Sequence, residues 1–126
     1  MCSLIFSSHV FAARTNITLP KNQQWVHKFD TRTGSYSNVL ARLYAVYPAD
    51  GGKDNFRRIH VQVISGGEVI GSGVHMSTIH ILDERSTSNT IIPLHEGTLH
   101  HRNVYFQFRG NSPEHAARAE VFYDAR

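Results

Sequence analysis

Arg58-Ile59-His60-Val61-Gln62-Val63 is the stretch on which the fold turns. Ile59, Val61 and Val63 fall on one side of an extended chain and Arg58, His60 and Gln62 on the other, because successive strand side chains point to opposite faces. Such alternation belongs to a sheet with one face against a core and one in water. The period recurs downstream, where Val104, Phe106 and Phe108 alternate with Tyr105, Gln107 and Arg109. Between the two, Ser65-Gly66-Gly67 supplies a tight turn and predicts a hairpin joining residues 56–64 to residues 68–72.

Outward from this centre the chain keeps its period of two. Residues 38–47 read as a long strand, with Val39, Ala41, Leu43 and Ala45 on one face and Leu40, Arg42, Tyr44 and Val46 on the other. Trp25, His27 and Phe29 share a face of an earlier strand. Residues 16–19 form a short strand stopped by Pro20, and residues 74–82 continue with mixed character. Thr90-Ile91-Ile92, ahead of Pro93, reads as an edge strand. Near the C-terminus, Ser112-Pro113-Glu114 is a helix-start signature, yet Ala117, Ala119, Val121 and Tyr123 alternate with Arg118, Glu120 and Phe122. The reading adopted is at most one short helical turn near residues 113–117, then a closing strand paired with residues 103–109. With turn signals about every 8–12 residues and no long amphipathic helix, the expected fold is all-β. It is a single antiparallel β-sandwich, jelly-roll-like, of about eight or nine short strands.

Composition agrees. The chain of 126 residues has the length of one domain, and 40% hydrophobic with 18% charged residues excludes disorder and collagen. No run approaches the roughly 20 apolar residues of a membrane-spanning helix. The one cysteine, Cys2, excludes an intramolecular disulfide framework and a thiolate zinc finger. Residues 1–12 carry no Lys, Arg, Asp or Glu and end Val10-Phe11-Ala12. They read as a signal-peptide remnant, or else as a first strand or frayed terminus. The first reading predicts a secreted protein whose domain, residues 13–126, is free of thiols.

Candidate chemistry is sparse. Nine histidines stand out, but no His pair has i, i+2 spacing and no HExxH occurs. His75, His80 and His95-Glu96 could meet only in space, and His100-His101 on a strand would point apart. The expectation is no metal and no cofactor. Below about pH 6.5 the histidines would add up to nine charges to the formal +3 and strengthen adhesion to anionic surfaces. Arg outnumbers Lys ten to three, but the basic residues are scattered among acidic ones, which argues against nucleic acid. Residues 50–55 (Asp-Gly-Gly-Lys-Asp-Asn) lack a calcium-loop ladder and read as a turn. Asn16-Ile17-Thr18 is a formal glycosylation sequon. No nucleophile elbow or phosphate loop is present, so no catalysis is expected, with a small hydrolase built on carboxylates that meet only in space as an alternative.

What remains is binding. The sequence points to a small exported, non-catalytic module for an extracellular or cell-surface polymer, a polysaccharide or anionic cell-wall material. The candidate contacts are Trp25, Tyr47, Arg57, Arg58 and Arg109, with Tyr36, Tyr44, Tyr105 and Tyr123 as further platforms. Asn22-Gln23-Gln24 is an amide-rich approach to Trp25. The competing reading makes Trp25 the core anchor of the sandwich, and average tryptophan burial favours it. A second function class is a secreted protein-interaction, self-assembling or bacteriocin/toxin-like component, whose residues 16–19 and 90–92 offer edges for a protein partner.

Overall fold

The computed structural model describes residues 13–48, 57–66, 73–111 and 114–126. Residues 1–12, read above as a signal remnant, lie outside the described residues, as do 50–55 and 68–72. Eight strands follow one another: β1 (Ala13–Leu19), β2 (Val26–Thr31), β3 (Asn38–Pro48), β4 (Arg58–Ser65), β5 (His80–Asp83), β6 (Thr90–Pro93), β7 (Asn103–Gly110) and β8 (Ala117–Asp124). They form two four-stranded antiparallel sheets, ordered β1-β8-β3-β6 and β2-β7-β4-β5. First pairs with last, second with seventh, third with sixth and fourth with fifth, like one long hairpin rolled over itself. That is the jelly-roll arrangement.

Apolar alternation builds the core between the sheets. Val39, Ala41 and Leu43 of β3, Ile59, Val61 and Val63 of β4, and Phe106 and Phe108 of β7 are buried together. Tyr123 of β8 reaches across to Phe106, with ring centroids 5.2 Å apart. Each large apolar side chain so buried contributes roughly 1.5–3 kcal/mol. No helix of the described residues is long and apolar enough to cross a membrane.

Two expectations are corrected. β8 pairs with β1 and β3 and not with residues 103–109, which lie in the opposite sheet. Alternation fixes which face of a strand is buried, but not which strand lies beside it. The hairpin expected across residues 65–72 falls on residues 67–72, which lie outside the described residues; β4 pairs with β5 and β7, and Ile64 bridges to His75. Gly66 allows a close approach: a Cβ there would lie 3.1 Å from Asn103, to whose carbonyl Gly66 donates at 2.6 Å. The mixed stretch before β5 is explained by Ser77, whose Oγ takes the Val63 N–H at 3.0 Å in place of a ladder carbonyl. In β3 a register shift between Leu43 and Ala45 reverses the phase, so Val46 is buried and Ala45 only half-buried. Residues 114–116 are not helical, within the expected limit of at most one short turn, and Ser112 and Pro113 lie outside the described residues.

Polar groups hold the rim together. Buried Arg32 donates to the carbonyls of Leu99 (2.6 Å), His101 (3.0 Å) and Tyr36. Buried Asp30 accepts the N–H groups of Thr31 and Ala125, both at 2.9 Å. Both ionic groups pay for burial: Arg32 is shifted down, and Asp30 up, mainly by desolvation.

Candidate functional site

The antiparallel registers of β2, β7 and β4 arrange the outer face of this sheet in rows. Continuing the β2 register by one residue, Trp25, Arg109 and His60 make the first row. His27, Gln107 and Gln62 make the second, and Phe29, Tyr105 and Ile64 the third. Because Val26 packs against the core, its neighbour Trp25 turns outward and is half-buried. The core-anchor reading of Trp25 therefore fails on strand phase.

In the first row the Arg109 guanidinium lies over the Trp25 ring, 4.4 Å from its centroid. The Arg109 Nε donates to His60 Nδ1 at 3.0 Å. Burial first, and then the Arg109 charge, hold His60 below the ordinary histidine range, against an opposing hydrogen bond with the Asn111 side chain. His60 is thus neutral at pH 7, with its Nδ1 lone pair fixing the arginine. His60 gains its proton only at a lower pH than an ordinary histidine, which trims the expected gain in positive charge. The approach to Trp25 is fixed too. Asn22 and Gln23 adopt left-handed backbone (φ 70° and 53°), and Gln23 Nε2 donates to the Gly110 carbonyl at 3.2 Å. The Gln23 amide is therefore spent on the scaffold, while Asn22 and Gln24 stay exposed.

The second row satisfies itself. Gln62 Nε2 donates to Gln107 Oε1 at 2.6 Å, and Gln107 Nε2 meets His27 Nδ1 at 3.0 Å. Both glutamines are buried. In the third row Tyr105 stands edge-on to Phe29, centroids 5.5 Å apart, and Phe29 is 52% exposed. The face thus offers aromatic surface on a polar base whose two glutamines and His27 are bonded to one another.

Of the five residues expected from sequence, the structure brings Trp25 and Arg109 together. Arg58 lies on the same sheet, with its Nε 3.1 Å from Asp83 Oδ2. Asp83 also accepts from Arg85 at 2.8 Å, and the two arginines hold its carboxyl well below the usual range, Arg85 contributing most. Arg57 pairs with Glu84 at 3.0 Å on the exposed rim. Tyr47 is elsewhere, on β3 in the other sheet. His27, Phe29, His60, Gln62 and Gln107 were not singled out. Alternation marked their outward phase, but only the pairing of β2 with β7 and β4 aligns them.

No family model, curated protein or solved structure matches this chain. The functional reading therefore rests on the face itself. Among the described residues no group of three or more His, Cys, Asp or Glu side chains could hold a metal ion. His100 and His101 precede β7 in a turn, and their rings lie 4.1 Å apart where a strand would have separated them.

Proposed function

We propose that this protein is an exported, non-catalytic binding module whose β2-β7-β4 outer face receives a polysaccharide at or outside the cell surface. The observation that carries the reading is the aromatic strip Trp25–Phe29–Tyr105, flanked by an Arg109 that His60 and Trp25 hold in place. Aromatic rings suit the C–H faces of sugars, and a fixed guanidinium suits their hydroxyl and carboxylate oxygens. A side chain already ordered loses little entropy when a ligand arrives. Trp25 and Phe29 are four residues apart, about 13 Å at strand rise, a spacing suited to successive units of a chain.

The test is retention on insoluble cellulose, chitin, xylan and purified cell-wall sacculi at fixed salt. The protein should be retained by at least one, and Trp25→Ala and Phe29→Ala should each weaken that retention about tenfold or more, an estimate from the usual weight of aromatic anchors. Tyr44→Ala, on the opposite sheet, should leave it unchanged. Retention by none of these polymers, or retention indifferent to Trp25 and Phe29, overturns the reading.

One observation favours a second reading, self-association or capture of a protein strand. β1 and β6 are the two outer strands of one sheet, and Ile91 on β6 is 58% exposed. Light scattering should then show mass rising with concentration, and a constant monomer mass removes the self-association reading.

A further inference from the structure

A cleft of about 380 Å³ opens on the other sheet, lined by Asn16, Ile17, Thr18, Tyr47 and Arg118. Its volume lies within the span of small-molecule sites, about 300–1,000 Å³. The registers of β1 and β3 with β8 set Thr18, Arg118 and Tyr47 in one row, with Asn16 one row along, opposite Glu120. Tyr47 is 52% exposed, and Asn16, Thr18 and Arg118 are exposed as well.

Arg118 is the exception among the ten arginines. Arg14, Arg57, Arg58 and Arg85 each bind a carboxylate. Arg32, Arg42 and Arg102 bind backbone carbonyls. Arg109 binds His60, and Arg126 binds Asn38 Oδ1. Among the described arginines Arg118 alone has no partner. Glu120, one row along on β8, is already taken by Arg14 at 2.6 Å.

We propose that this cleft binds a carboxylate-bearing sugar, separately from the polymer face on the opposite sheet. The Arg118 fork would take the carboxylate, as a planar guanidinium does best. The exposed Tyr47 ring would lie against the C–H face of the pyranose. The Thr18 hydroxyl and Asn16 amide would meet its hydroxyls. A single cation beside Glu120 suits a monoanion, whereas a dianionic phosphate would face the glutamate's charge.

The probes are trigalacturonate, its methyl ester and inorganic phosphate, measured by calorimetry and by amide shifts. Trigalacturonate should bind at least tenfold more tightly than the ester and shift the amides of Thr18, Tyr47 and Arg118. Arg118→Gln should erase that preference, and Arg118→Lys should restore only part of it. Tyr47→Ala should weaken both saccharides, and Trp25→Ala should change neither, so this inference and the polymer reading fail independently. Tyr47 and Arg118 are exposed and Trp25 is half-buried, and unchanged melting temperatures verify that the variants fold. Equal binding of acid and ester, a preference that survives Arg118→Gln, or phosphate binding as tightly as trigalacturonate overturns the proposal.

Discussion

The two outer faces of the sandwich arise from the same alternation but spend their polar groups differently. On β2-β7-β4, Gln62, Gln107 and His27 bond to one another, and His60 holds Arg109 over Trp25. On β1-β8-β3, Arg14 and Arg42 both lie over the Tyr44 ring, 3.7 and 4.5 Å from its centroid, Arg14 also takes Glu120, and Arg118 is left over. Where polar groups satisfy each other, ring surface is what a ligand can still use. Where a cation has no counterpart, charge is what remains. A partner of the first face should therefore be read mainly by shape and apolar contact, and a partner of the second by its negative charge.

The largest effect should come from the core that both faces share. Phe108 is fully buried and close to Tyr123, so Phe108→Ala should cost about 3–5 kcal/mol in urea unfolding. Both binding activities should then fall along one unfolding curve. If one face kept its ligand after the other had lost it, the faces would not share one cooperative fold.

A smaller effect should be confined to one face. Gln107→Leu leaves the Gln62 amide without its acceptor and His27 without its donor, which should cost about 1–3 kcal/mol. Polymer retention should weaken, while trigalacturonate binding to the folded variant should not move. A loss at both sites would show that the faces are coupled through the core.

The smallest effect is a pH signature of the first row. The His60 pKa is depressed, so its contribution is fully present above about pH 6.5, the unfolded value, and is lost as pH falls towards the lower folded value. Protonation also removes the acceptor of Arg109 Nε and frees the guanidinium from its place over Trp25. Trp25 emission should shift on acidification from pH 7 to pH 5, and His60→Gln should flatten that response. An emission change that persists in His60→Gln would assign it to another group.

The sequence carried the class of fold because period two survives in β4, β7 and β8, where Ile59, Phe106 and Val121 mark the buried phase. It identified residues 90–92 as an edge, and β6 is one, because Pro93 cannot serve an interior ladder. Partnership was not legible: nothing in Ala117-Arg118-Ala119 says whether β7 or β3 lies alongside. The phase reversal at Tyr44 was hidden too, since a bulge leaves no gap in an apolar pattern. The site followed suit. Trp25 and Arg109 could be named singly, as an aromatic and a strand-end cation. His60 as the acceptor between them, and Arg118 as the one arginine without a partner among the described residues, required the registers.

Trp25 is the only tryptophan in the chain, so its emission reports on the proposed polymer face without a label. The most direct measurement is a titration at pH 8 with soluble fragments of whichever polysaccharide retains the protein. The account predicts a saturable change in Trp25 emission whose midpoint matches the retention affinity, and the same change in Tyr47→Ala. Binding that leaves Trp25 emission untouched would contradict it.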